Sequence, residues 1–160
     1  MPTLPQLIEE DIQELDRALH ELLVKCEGMA ALLIDKGGFL ITQVGDAPQL
    51  DTTTLAALAA GSFAATQTIA SLVQENNFSS VYQQGEQHSL LVINVDEYCL
   101  LTVVFKAQVS VGAVKYFAVS TGRQIAKQLK KANRRAPDAG WDLSELNMAD
   151  TAPLFRKKAS

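Results

Sequence analysis

The sequence is poor in the residues that most often carry chemistry. Its 160 residues include two cysteines, two histidines, one tryptophan and 6% aromatic side chains. Cys26 and Cys99 lie far apart in apolar surroundings with no CxxC spacing. That argues for buried reduced thiols rather than a disulfide framework, and so for a cytoplasmic compartment. His20 opens a His-Glu-Leu-Leu-Val stretch that begins like a zinc-protease motif but lacks the second histidine. His88 has no acid or thiol near it in sequence. There is no phosphate-binding G-x-x-x-x-G-K-[ST] loop, no dinucleotide fingerprint and no GxSxG or SxxK nucleophile. Catalysis by this chain alone, a bound metal and a cofactor are therefore not expected.

Long hydrophobic runs are scarce too. The one uncharged stretch of bilayer length, Thr52–Gln74, has 23 residues, of which seven are Thr or Ser and seven are Ala. It reads as a helix of a soluble domain, with no integral membrane segment expected. The N-terminus, Met1-Pro-Thr-Leu-Pro followed by Ile8-Glu-Glu-Asp-Ile, has neither the basic nor the apolar region of a secretory signal. What remains is 48% hydrophobic and 20% charged, enough to build one core without cross-links.

The formal net charge of −4 hides a polarity. Residues 1–105 hold 14 acidic and 3 basic side chains, net −11, whereas residues 106–160 hold 4 acidic and 11 basic, net +7. The cations Lys127, Lys130, Lys131, Arg134 and Arg135 fall at the end of a long helical pattern, where they suit the negative pole of a helix. No aromatic residues interleave with them, so a nucleic-acid partner is not expected.

Hydrophobic spacing sets the element order. Leu4, Ile8, Ile12, Leu15, Leu19, Leu22 and Leu23 predict a first helix over 4–27, capped by Thr3, with Pro5 in its first turn and Gly28 at its end. Met29–Asp35 and Phe39–Val44 read as a hairpin around Lys36-Gly37-Gly38. Asp51 caps a second helix over 52–75. Strands follow at Phe78–Gln84, His88–Val95 and Tyr98–Lys106. A last helix over 110–134 presents Val111, Val114, Ala118, Thr121, Ile125, Leu129 and Ala132 on one face. Ala136–Gly140 reads as a linker, and Asp142 with Glu145 as the start of a short helix over about 142–150. The expected fold is an α+β sandwich of order α-β-β-α-β-β-β-α, with a five-stranded, mainly antiparallel sheet between helical layers. Strands apolar on both faces (30–34, 90–95, 100–105) should be central, and the polar 79–84 and mixed 39–44 should be edges. Residues 1–134 form the domain and 135–160 an extension, partly flexible.

The second helix is the informative element. At 100° per residue, Leu55, Leu58, Ser62, Ala65, Ile69, Leu72 and Val73 share one arc, the expected core face. The opposite arc carries Ala56, Ala57, Ala60, Gly61, Ala64, Gln67, Thr68 and Ser71 without a charge, and Phe63 lies on its flank. Small uncharged side chains let another backbone approach closely, so this arc reads as an interaction platform. The neighbouring polar edge strand invites pairing with its own copy. Partner contacts are expected at Ala56, Ala60, Ala64, Gln67, Thr68 and Ser71. A homodimer interface is expected at Ala57, Gly61, Phe63, Ser79, Val81 and Gln83.

The stretches Ala31-Leu-Leu-Ile-Asp-Lys-Gly-Gly-Phe-Leu-Ile, Leu50-Asp-Thr-Thr-Thr-Leu-Ala-Ala-Leu-Ala-Ala-Gly-Ser-Phe-Ala-Ala-Thr and Leu100–Phe105 with Val111-Gly112 resemble the roadblock family (dynein light chain roadblock type), and within it the bacterial MglB group. The resemblance spans about residues 5–133. It implies the roadblock/profilin-like fold, a homodimer through the second helix and third strand, and binding of a Ras-like (MglA-type) small GTPase across the paired helices. It also implies stimulation of GTP hydrolysis without an arginine finger. By position it places Ala60, Ala64 and Thr68 against the partner and Gly61 near the dimer axis, with Thr68 departing from the commoner Gly or Ala. Some members carry a C-terminal segment that contacts the GTPase, the role the extension would take through Trp141, Leu143 and Leu146. The alternatives are a scaffold without effect on GTP turnover and a small-ligand sensor.

Overall fold

A computed structural model describes the backbone from Thr3 to Ala159 and the side chains from Thr3 to Arg135. The elements are α1 (Glu9–Cys26), β1 (Ala30–Asp35), β2 (Leu40–Gly45), α2 (Thr52–Leu72), β3 (Ser80–Gln83), β4 (His88–Asn94), β5 (Cys99–Lys106) and α3 (Val111–Ala159). The linker at 136–140, the short helix near 142–150, Trp141, Leu143 and Leu146 fall in the part of α3 whose side chains lie outside the described residues.

Strand order follows the polarity of the strands. The sheet runs β2-β1-β5-β4-β3 with every neighbour antiparallel, so the strands apolar on both faces are central and the polar ones are edges. Alternation divides the core in two. Ala31, Leu33, Leu91, Ile93, Leu101, Val103 and Phe105 face α1 and α3, while Ala30, Leu32, Ile34, Val92, Leu100 and Val104 face α2. Cys26 and Cys99 are free and buried, and burial raises both thiols above their ordinary pKa, which keeps them protonated and unreactive.

On the first face the expected pattern of α3 holds: Val114, Ala118, Thr121, Ile125, Leu129 and Ala132 are all buried. The start of α1 differs. The chain from Thr3 is not helical until Glu9, because buried Pro5 and the half-buried Leu4 and Leu7 pack as an irregular strap under the core. The cap is not Thr3. The Ile8 amide donates to the Asp11 carboxylate at 2.9 Å, which satisfies one orphan donor of the first turn. The helix ends at Glu27, in the left-handed region at φ 55°, one residue before the expected Gly28.

On the second face Asp51 caps α2 as expected, accepting from the Thr54 amide at 3.0 Å and its hydroxyl at 2.6 Å. Those bonds hold the Asp51 carboxyl below its usual pKa. The rotation of α2 about its axis is the main correction. The side buried on the sheet is Ala56, Ala59, Ala60, Phe63 and Ala70, and the expected core residues Leu58, Ala65, Ile69, Leu72 and Val73 are exposed. The reason is volume. Leu32, Ile34, Leu100 and Val104 already fill the layer from the sheet side, so the helix lies close on Ala56, Ala59 and Ala60, with Phe63 as the large buried side chain of that face. The β1–β2 hairpin tightens the fit further, since a Cβ on Gly38 would stand 3.3 Å from the Ala57 Cα. Among the described residues α2 is the one helix long and apolar enough to cross a membrane, and here it is a layer of the domain.

This orientation makes a checkable contrast. Ala56→Leu should overpack the α2–sheet layer and lower unfolding free energy by about 1–3 kcal/mol. Leu58→Ala should leave it within about 0.5 kcal/mol, by denaturant titration at low protein concentration.

Candidate functional site

The outward face of α2 has no charged residue along its length. Leu58, Ile69 and Leu72 are 67%, 51% and 79% exposed, far beyond what scattered surface aliphatics require. Gly61 sits among them in mid-helix, and a Cβ placed there would meet nothing within 4 Å. The chain's own packing therefore does not call for a glycine at this position. Beside α2 runs the free edge of β3. The Asn94 amide donates to the Ser79 carbonyl at 3.0 Å, and the register Ser80↔Ile93, Val81↔Val92 continues from that pair. Alternation then turns the backbone N–H and C=O groups of Ser80 and Tyr82 outward, unpaired. Val81 packs with the α2-side core and Tyr82 stacks on Phe105 at 6.2 Å on the other side, so Ser79, Val81 and Gln83 share the face of the sheet that carries α2.

Between α2 and β3 lies a groove of about 630 Å³. Ala60, Phe63, Ala64 and Gln67 form its helix wall, Leu100 its floor, and Lys36, Asp96 and Glu97 its far rim. Gln67 donates its amide to the Phe78 carbonyl at 3.2 Å, tying the wall to the chain entering β3. Asp96 is committed to the β4–β5 turn, where its Oδ1 accepts from the Tyr98 and Cys99 amides at 2.8 and 2.9 Å. Burial raises the Asp96 carboxyl above the usual range, against those two bonds and the pull of Lys36. No group of three or more His, Cys, Asp or Glu among the described residues could hold a metal ion. The candidate site is a surface of backbone edge, small side chains and aliphatics.

A family model of the Roadblock/LC7 domain matches residues 13–105, from the second turn of α1 to the end of β5. The chain belongs to the Roadblock/LC7 family. Its solved relatives include one described as MglB with a tetrameric arrangement, 30% identical over 82% of this chain and 99% of that one, with a TM-score of 0.76. The gliding protein MglB from Thermus thermophilus is likewise 30% identical over the same shares, at 0.75. MglB of Myxococcus xanthus is 28% identical over 79% and 96%, at 0.73. No curated protein matches the chain.

Within this family fold the sequence-predicted residues divide. Ala57, Gly61, Ala64, Thr68 and Ser71 are exposed along α2, and Gln67 is half-buried at the groove. Ser79 and Gln83 are exposed and Val81 half-buried at the free edge. Ala56, Ala60 and Phe63, expected at the surface, are buried against the sheet, although Ala60 and Phe63 reach the groove wall. Leu58, Ile69 and Leu72 were missed as surface residues. The usable signal was the lack of charge on either arc of α2, which left both open to burial.

Gly61→Ala should raise the stability of the isolated domain by up to about 1 kcal/mol, since a helix interior favours alanine and the space is free. Chemical denaturation at low concentration reads it. For Asp96, a native carboxyl with a raised pKa binds more protons than the unfolded one, so stability falls as pH rises through that interval. Asp96→Asn keeps the acceptor for Tyr98 and Cys99 without the charge. Its stability relative to wild type should climb as pH rises from the ordinary aspartate range, then level off, in melts across an acid-to-neutral series.

Proposed function

We propose that this Roadblock/LC7 chain is a cytoplasmic, non-catalytic, homodimeric platform that binds an MglA-type Ras-like GTPase across α2 and stimulates its GTP hydrolysis. The observation that carries the reading is the uncharged outward face of α2, with exposed Leu58, Ile69 and Leu72 around a glycine that the fold itself does not need. A second copy would cover the apolar part of that face and extend the sheet through β3, leaving Ala64, Gln67, Thr68 and Ser71 as a composite surface of small side chains. Such residues lose little rotamer freedom on binding and cost little to desolvate, which favours a snug contact with another protein. α2 contains no arginine or lysine. Stimulation across it would therefore act by repositioning groups of the GTPase, without an inserted cation. The likeness to MglB structures at about 30% identity over most of both chains supports the partner class. The extension from residue 135, with Trp141, Leu143 and Leu146, is a second candidate contact.

The test is GTP turnover by an MglA-type GTPase with and without this protein. A rise in rate is expected, and an unchanged rate with retained binding would reduce the role to a scaffold. Ala64→Arg, at an exposed position on the groove rim, should weaken GTPase binding at least about tenfold, a loss of about 1.4 kcal/mol, with an unchanged circular dichroism spectrum. Wild-type affinity in that variant would remove α2 as the platform.

A further inference from the structure

On the side of the sheet away from α2, α3 leaves a groove of about 220 Å³ against β3 and the end of β4. Ile93 and Val95 line it from the sheet, and Val119, Gly122 and Ala126 line it from the helix. A Cβ on Gly122 would stand 3.5 Å from the Ile93 Cδ1, so glycine leaves that space to the groove. Lys115 and Arg123 also line it, both exposed, with Val119 halfway between them along α3. Eight residues of helix separate the two cations by about 12 Å. No acidic residue lines the groove. The ion pairs among the described residues are Arg17–Glu14 and Arg135–Asp11, so neither groove cation has a carboxylate partner among those residues.

Such a groove calls for a helical segment with one large apolar side chain and a carboxylate one turn to either side of it. The chain contains that segment. No acidic residue lies between Val111 and Arg135, and the four acids of residues 106–160 are Asp138, Asp142, Glu145 and Asp150, in a stretch without a cation. Asp142, Leu146 and Asp150 step by four residues, as Lys115, Val119 and Arg123 do. Steps of four keep each trio on one stripe of a helix. The two stripes are matched in length, apolar at the centre and opposite in charge at both ends.

We propose that the segment Asp142–Asp150 folds back into this groove of its own chain, antiparallel to α3, with Asp142 at Arg123, Leu146 at Val119 and Asp150 at Lys115. The reach is sufficient. Arg123 lies twelve residues, about 18 Å, back along α3 from Arg135, and a helix packed alongside stands about 8–10 Å off, which makes a span of about 20 Å. The seven steps from Arg135 to Asp142 extend to about 23 Å. α3 is helical to Ala159 in the structure, so the docked segment is a second state, reached by opening the helix over 136–140. Pro137 and Gly140, the two poorest helix formers, fall in that interval. A separate acidic peptide meets the same cations, but the tethered segment competes at an effective concentration on the order of millimolar. While docked it is withheld from any other protein, so the groove acts as a latch on the extension. None of this involves α2, and the latch stands or falls independently of the GTPase reading.

The full chain carrying Val119→Cys and Leu146→Cys tests it, with diamide oxidising the two thiols to a disulfide at low micromolar protein. Cys26 and Cys99 are buried and stay out of the reaction. A non-reducing gel and the intact mass should show a cross-link within one chain. Moving the first cysteine to the exposed Gln124, on another side of α3, should slow the reaction at least about tenfold. Adding Lys115→Glu/Arg123→Glu, or Asp142→Lys/Asp150→Lys, should slow it by a similar factor with an unchanged circular dichroism spectrum, and combining all four reversals should restore the rate. No cross-link, a cross-link only between chains, equal rates from positions 119 and 124, or no recovery in the combined reversal would overturn the proposal. Ala64→Arg in the same assay should leave the rate unchanged, which separates its outcome from that of the α2 reading.

Discussion

The close seat of α2 on the sheet is the constraint from which the rest of the surface follows. A helix can approach a pleated layer already filled by Leu32, Ile34, Leu100 and Val104 where its inner face is small, and Ala56, Ala59 and Ala60 provide most of that face, beside the buried Phe63. Once those positions are inside, helical periodicity forces Leu58, Ile69 and Leu72 outward. An apolar exterior is then the geometric complement of the inner face. Dispersion along the Ala layer is the return for leaving aliphatics in water, and covering them recovers more.

The opposite layer solves its packing in the ordinary way. α1 and α3 bury large aliphatics and mark their outer surfaces with charge, acidic on one helix and basic on the other. The clasp between them is a buried carboxylate: Asp11 accepts from the Ile8 amide and Gln128 and pairs with Arg135, so its charge is met from three directions. Removing one partner would leave a buried ion short of compensation, a costly state. Asp11 therefore both begins α1 and ties it to α3 at Gln128 and Arg135.

What the sequence made legible follows from the same contrast. In α3 the charged residues labelled the outside, so Val114, Ala118, Ile125 and Leu129 could be read as core from spacing alone. Strand order was legible because burial on two faces demands unbroken apolar runs, as in Leu100–Phe105, whereas one unpaired edge tolerates Ser79-Ser80. In α2 no charge labelled either side, and side-chain size stood in for burial. By size the larger arc reads as core, whereas the constraint is closeness. The start of α1 misled for a related reason: Thr3 and Pro5 have the composition of a helix start, but the bond that caps it comes from Asp11, inside the helix. The groove at Lys36, Ala64, Gln67 and Asp96 had no sequence signal, because its walls come from separate elements that only the fold brings together.

The two faces of the domain differ in how ionic strength acts on them, because one is uncharged and the other carries both signs of charge. Burial of Leu58, Ile69 and Leu72 removes apolar area from water, an attraction that ions do not screen. The exposed charges of α1 and α3 act through a field that is screened within about 10 Å at 0.1 M ionic strength. One sheet thus separates an uncharged surface from a charged one whose field ionic strength sets. Because strands β1, β5 and β4 are buried on both sides and separate the two clusters, the outer layers can be altered one at a time with little effect across the sheet. The net charge of −4 describes neither face, since it averages a neutral helix, an acidic one and a basic one.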